Sequence, residues 1–573
     1  HQYMLTDAIP EIEALGDDFR VPLIRCPSDD FYQRAEKKGL LIGFYEQECK
    51  TWGLDGIDPN FANALCPDDL DRVMDVMEGA ISRLPCLETA GIHSIVNGPI
   101  TYTPDGLPLV GKIPGKRNAY CITGLRAGLG EGGGHGLLLA QIVAHGEACY
   151  DTWCIDPRRF TQYADIKHTA LKAIEDYQNE FRFHRPHEHR PAGRMAKCTP
   201  LYGRLAKAGA SFATVNGWER LDYIEPSPDF EEDHSFHFNN LFEQIGKEVE
   251  LVKNRVGLCE VSGFNRDAIT GDNVHDWLDG IVCSRVPRKT GKVGLTYLLN
   301  HLGMVKGEAT LANIEDDLVW YGSAAAAEYH DMDWLAEHLP QDGSIKIESL
   351  TNEYTILVLA GPKSREVLQQ AEPGEDWSAE GFRPLCVRRV QLAGKTVVVM
   401  SVSFSGELAY EVHIPNEDLT AVHDALMSAG QPFGSGYFGM RAVESMRLEM
   451  GYLHWKADII TEYNPIETGV DRFVKMDKDF IGKAALEEMI AKGDTRRLVT
   501  LELESSLTPA HPGDSVMQGD ALVGTVTSAG WGYRTAKNLA YAFVDAGKSE
   551  DLSCLVQGVA IPARQVERAL YAG

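Results

Sequence analysis

Seven glycines fall within thirteen residues of the stretch "TGLRAGLGEGGGHGLLLAQIVAHGE", at positions 124, 128, 130, 132, 133, 134 and 136. Glycine has no Cβ, so successive backbone N–H groups can approach a flat ring or a pyrophosphate where a side chain would collide. The strand-like "NAYCITG" precedes the stretch and the apolar "GLLLAQIVAHGEA" follows it. Strand, glycine loop, helix is the order in which backbone meets a phosphate or a ring. A plain surface loop is the competing reading. Within the stretch, Arg126 suits a substrate carboxylate or an electron-rich ring, and His135 suits either a ligand contact or a turn cap.

Other chemistry is thinly represented. "HRPHEHRP" offers His184, His187 and His189, but no Cys or carboxylate stands at a zinc-ligand spacing and two arginines crowd the run, so no metal is expected. G-x-S-x-G, the Walker loop and H-E-x-x-H are all absent. The formal net charge of −28 argues against nucleic acid or an anionic membrane as partner, because the summed field repels polyanions. No run reaches the ~20 apolar residues of a membrane span. Twelve scattered cysteines without C-x-x-C suit reduced thiols in the cytoplasm, or in the mitochondrial matrix of a eukaryote.

The elements that must position these residues divide the 573-residue chain four ways. Residues 1–165 mix short apolar runs with turn clusters. Residues 166–235 open with the helical "HTALKAIEDYQNEF" and pass into an Arg/His/Pro-rich linker. Residues 236–485 alternate strand-like runs ("YTILVLAG", "KTVVVMSVSF") with amphipathic helices ("MDWLAEHL", "NEDLTAVHDALMSAG"), an α+β pattern. Residues 490–573 carry short, closely spaced strands, which predict a small β-barrel or sandwich. The expected fold class is therefore α+β or α/β and multidomain.

"HQYMLTDAIPE", "LIRCPSDDFYQRAEKKGLLIGFYE" and "NGPITYTPDGLPLVGKIPG" resemble the later half of the FAD-dependent oxidoreductase domain of the dimethylglycine and sarcosine dehydrogenase family. The likeness continues through "RPAGRMAKCTPLYGRLAKAGASFATVNGWER", similar to that family's connecting domain, and into a portion resembling the aminomethyltransferase of the glycine cleavage system. It covers nearly the whole chain in the family's own order. The resemblance implies FAD and tetrahydrofolate as cofactors. It places Pro104, Asp105, Gly106, Gly124, Arg126, Gly128, Gly130, Gly132 and Gly133 on the flavin side. No strand running into G-x-G-x-x-G stands near the amino terminus, where such a flavin domain has one, so the resemblance implies either the later part of a longer enzyme or one subunit of a split one.

In "LNHLGMVKGEATL", Glu308 follows a glycine-centred turn where the family has an acid facing the reactive nitrogens of tetrahydrofolate; a carboxylate there orients a weakly basic amine and shuttles its proton. In "SVSFSGELAYEVHIP", Glu411 falls where the family's carboxylate holds the pterin, a ring with adjacent N–H donors. Phe404 stands where the family often has Tyr, able to pack on the ring but not to donate to it. Glu407 belongs to the same motif and equally suits a turn-shaping role. Tyr452, Trp455 and Glu467 are either lining or core. Val443 replaces an arginine of the aminomethyltransferase, which weakens the case for a lipoyl-bound substrate. The implied reaction is oxidative demethylation of a small N-methyl amino acid such as dimethylglycine or sarcosine. Its carbon passes to tetrahydrofolate through an internal cavity, with oxygen or an electron-transfer flavoprotein as acceptor. A non-redox folate methyl- or aminomethyltransferase and a non-catalytic subunit are the alternatives.

Overall fold

The computed structural model describes residues 1–16, 18–493, 495–505 and 507–571, and its backbone contacts separate two compact units. The first comprises His1–Gly111, Tyr120–Ala140 and Gln162–Arg194. Its five-stranded sheet runs in the order Ile24–Cys26, Phe31–Glu36, Gly39–Phe44, Gln2–Thr6, Ile92–Asn97, antiparallel throughout. Phe31–Glu36 turns tightly into Gly39–Phe44 through Lys37, whose φ of 54° is left-handed. Gly39–Phe44 is buried at every position. Met4, Phe31, Leu40, Ile42 and Phe44 close this core with Val73, Val76 and Ala80 of the adjoining helical segment, each large side chain contributing about 1.5–3 kcal/mol.

Ile166–Gln178 is helical, as its charge and spacing predict, and Asp165 caps it by accepting from the His168 N–H. The glycine-rich stretch departs from the expected loop. The helix begins at Gly128 and runs to His145, so the glycines form its first turns, with the Glu131 N–H on the Ala127 carbonyl at 3.0 Å. Each glycine there costs about 1 kcal/mol relative to alanine. No crowding within the described chain requires them, since a Cβ at Gly130, Gly132, Gly133, Gly134 or Gly136 would meet nothing within 4 Å.

The second unit holds Lys112–Ala119, Gln141–Thr161 and the chain from Met195 onward. Part of the expected linker is ordered structure: the helix Tyr202–Lys207 and the hairpin Ala210–Val215/Trp218–Ile224. Two larger sheets follow. One has six strands in the order Val387–Leu392, Lys395–Met400, Ala409–Pro415, Tyr354–Ala360, Gly257–Val261, Gly436–Tyr437. The other has five: Val293–Leu299, Val305–Glu315, Leu318–Ser323, Asn265–Thr270, Lys346–Ser349. Residues from Arg496 to Val566 close a six-stranded barrel, the form that removes unpaired strand edges. Cys259, Cys283 and Cys554 are buried free thiols.

Candidate functional site

The antiparallel register of Val293–Leu299 against Val305–Glu315 sets Tyr297 directly opposite Glu308. Tyr297 is buried and hydrogen-bonds the Glu308 carboxyl, while Asp458 and Arg568 lie within electrostatic reach. Burial pushes the Glu308 carboxyl up to about 7; the Tyr297 hydroxyl opposes the rise, Asp458 adds to it and Arg568 opposes it. A carboxyl poised near neutrality exchanges protons in both directions at working pH. It also carries a stability cost with a definite sign. Glu308 is protonated without penalty at low pH, and the folded state is progressively destabilised as pH rises from the ordinary value of 4.5 through 7. Glu308→Gln should therefore unfold at a higher temperature than the parent at pH 8, with the gain vanishing at pH 4. Thermal melts across that range test it.

Asp458 is fully buried and organises the ground beside Glu308. Its oxygens accept from Arg447 Nη1 at 2.7 Å, Thr527 Oγ1 at 2.6 Å, Ser528 Oγ at 2.7 Å and the His454 N–H at 2.9 Å. Arg447 also donates to Glu444 and to the Tyr452 carbonyl. Tyr452 is thereby fixed, and its ring stacks on Phe404 with centroids 5.9 Å apart and planes 19° from parallel. Phe404 stays exposed for a hydrophobic residue of its size, so the pair presents an open aromatic surface.

The remaining acids divide. Glu407 is engaged by Arg534 at 2.9 Å, and Arg534 also holds Glu449 and the Ser405 carbonyl, so Glu407 shapes its turn. Glu411 lies in the six-stranded sheet opposite Val358 and Met400, with one oxygen 3.2 Å from His413 Nε2. Burial, reinforced by Arg266, lowers His413 to about 4, so the near neighbour of Glu411 is a neutral imidazole. Among the described residues no hydrogen bond or ion pair joins Glu411 to Glu308; they stand on separate sheets. Trp455 is buried against Trp153 with its indole N–H on the Lys306 carbonyl, and Glu467 closes a turn onto Thr495 and Asn464. Val443 is buried in the main core.

In the first unit, Asp105 caps its own turn by accepting from the Leu107 N–H. A Cβ at Gly124, where φ is 75°, would strike Thr103 at 2.5 Å, so that glycine serves the strand turn itself. Arg126 is paired with Asp176 and Glu180 and lies over the Tyr102 ring at 4.9 Å, so its charge is already balanced. His135 bonds the Glu131 carbonyl along its own helix. Sequence reading missed an aromatic cluster here. The His1 ring sits between the hydroxyls of Tyr32 and Tyr177, each at 3.2 Å, with Tyr45 at a centroid distance of 4.9 Å. Tyr102 meets Tyr177 edge-on, and the Tyr177 hydroxyl donates to buried Glu46 at 2.8 Å. These residues are up to 176 positions apart, and nothing local in the sequence joins them. Among the described residues no Cys, His, Asp and Glu grouping suits a metal ion, and no helix is long and apolar enough to cross a membrane.

The order of domains defines the class. Residues 1–146 match the FAD dependent oxidoreductase family and 145–199 the FAD dependent oxidoreductase central domain. Residues 201–478 match the GCVT N-terminal domain, and 496–572 the glycine cleavage T-protein C-terminal barrel domain. The chain thus joins sequence matching a flavin oxidoreductase to sequence matching the glycine-cleavage T-protein domains, and it is similar to dimethylglycine and sarcosine dehydrogenases. It is 34% identical to mitochondrial dimethylglycine dehydrogenase of Mus musculus over 96% of its own length and 64% of that protein's. Against mitochondrial sarcosine dehydrogenase of the same organism the identity is 28%, over 95% and 63%. The chain thus spans just under two thirds of these relatives. The glycine cleavage aminomethyltransferase T of Bartonella henselae superposes with a TM-score of 0.57 at 21% identity, covering 65% of this chain and 98% of that one, and shows the fold of this portion.

Proposed function

We propose that this chain belongs to an FAD- and tetrahydrofolate-dependent enzyme that oxidatively demethylates a small N-methyl amino acid and transfers the released carbon to the folate. The observation that carries the reading is Glu308, held near neutrality by burial beside Tyr297 in a T-protein fold that follows flavin-oxidoreductase sequence. Bound flavin supplies a two-electron acceptor, and bound tetrahydrofolate supplies the nucleophilic amine. The residues suit both groups. The uncrowded glycine face of Gly128–His145 offers backbone and apolar surface to a flat ring, and the Phe404–Tyr452 pair offers a stacking surface to a pterin.

His1, bracketed by two phenols, is placed to hold or accept the substrate ammonium proton, so that the nitrogen lone pair becomes available. The surrounding tyrosine rings favour a methylated cation by cation–π attraction. Glu308 then receives and returns the proton of the folate nitrogen as the carbon–nitrogen bond forms. Glu411 orients the pterin through its N–H donors.

The test uses the full-length enzyme. Anaerobic addition of dimethylglycine or sarcosine should bleach the flavin absorbance, and His1→Ala should slow the bleaching by about 10²-fold or more. A colourless preparation, or a flavin that no N-methyl amino acid reduces, overturns the proposal in favour of a non-redox or non-catalytic chain.

A further inference from the structure

After the last barrel strand, Val559–Val566, the chain returns to the T-protein fold, and its side chains there are not idle. Arg568 donates from Nε to the Gly451 carbonyl at 3.1 Å and from Nη1 to the Gly469 carbonyl at 2.7 Å. Both glycines make room for it: a Cβ at Gly451 would lie 2.6 Å from the Arg568 carbonyl oxygen, and one at Gly469 would lie 2.5 Å from Nη1. Gly451 caps the helix Met440–Met450 with φ of 72° and immediately precedes Tyr452, the ring stacked on Phe404. Three residues on, the Tyr571 ring lies 4.0 Å from the Arg534 guanidinium, the group that holds Glu407 and Glu449. The Leu570 N–H donates to the Glu449 carbonyl at 2.8 Å. The tail therefore grips both backbone segments that bear the stacked aromatic pair.

The Arg568 guanidinium also acts electrostatically on Glu308. The other charged or titratable groups around that carboxyl are Tyr297 on the neighbouring strand and Asp458 on the loop after the helix; Tyr541 on the barrel and Arg472 flank Arg568 itself. We propose that Arg568 is a positioning residue of the folate half, which fixes the Gly451–Tyr452 backbone from the carboxyl-terminal tail while its cation acts on the charges around Glu308. The inference rests on the reading of this fold as a tetrahydrofolate site.

Two substitutions in the full-length enzyme separate its geometry from its charge. Lys in Arg568→Lys keeps the cation but cannot span two carbonyls with a planar fork. It should leave the pH midpoint of methylene-folate formation in place while weakening tetrahydrofolate binding about tenfold, the scale of a lost charge-assisted hydrogen bond. Arg568→Gln removes the cation, so the midpoint should also move upward, since an opposing charge no longer favours the carboxylate. Flavin reduction by the amine should be unchanged in both. A merely structural arginine would lower the yield of both variants without moving the midpoint. An unmoved midpoint in Arg568→Gln, or parental affinity in Arg568→Lys, overturns the proposal. If Arg568→Gln does not fold, the affinity of Arg568→Lys decides. Absence of tetrahydrofolate binding by the parent enzyme would instead remove the folate reading itself.

Discussion

Glu308→Gln is expected to uncouple the two halves of the reaction. In the full-length enzyme, amine-driven flavin reduction should proceed at the parental rate. Formation of methylene-folate should fall by about 10²–10⁴-fold, the ordinary worth of a positioned acid–base group. The carbon released at the flavin half should then appear in solution as formaldehyde. The size of the effect follows from the surroundings of Glu308. Burial and the nearby Asp458 hold the carboxyl near 7, and the buried Tyr297 fixes its orientation across one rung of antiparallel sheet. Glutamine preserves the shape and the Tyr297 contact but cannot take up a proton. Separate assays for flavin bleaching, methylene-folate and formaldehyde distinguish this outcome from general damage, which would depress all three. Unchanged methylene-folate formation would remove Glu308 from the chemistry.

The parts of this arrangement that were legible in the sequence share one property: their signal is local. "YTILVLAG" and "KTVVVMSVSF" become the strands Tyr354–Ala360 and Lys395–Met400 because β-branched residues in short runs state their preference without help. "NEDLTAVHDALMSAG" becomes the helix Leu419–Gly430 by the same local logic, and the closely spaced strands after residue 495 do close a barrel. What failed was whatever depends on distant partners. The glycines after Ala127 read as a loop because intrinsic propensity speaks against a helix, and the observed helix overrides it. Nothing local joins His1 to Tyr177, or Arg568 to Gly451 and Gly469. Asp458 was invisible for the same reason. Its four donors come from the helix Met440–Met450, from the loop it belongs to, and from the barrel strand Ala521–Gly532.

That convergence makes Asp458→Ala a strongly destabilising change. Arg447 is 1% exposed and Asp458 wholly buried, so removing the carboxylate leaves a guanidinium in the interior with Glu444 as its remaining acidic partner. Breaking a buried pair from one side costs about 3–5 kcal/mol, because the surviving charge keeps its desolvation penalty and loses its compensation. Thr527, Ser528 and the His454 N–H lose their acceptor as well, which adds to the loss. Denaturant titration should show the midpoint falling with an unchanged slope if the folded state keeps its compactness. The double variant Arg447→Met with Asp458→Ala provides the discriminating comparison. Replacing both charges by apolar groups removes the orphaned guanidinium, so the double variant should be more stable than Asp458→Ala alone. If the two losses simply add, the pair is not coupled and the network is not what ties the barrel to the helix. If the double variant recovers stability yet still binds tetrahydrofolate weakly, then this ion pair acts on the site through the placement of Tyr452, whose carbonyl Arg447 holds at 3.1 Å.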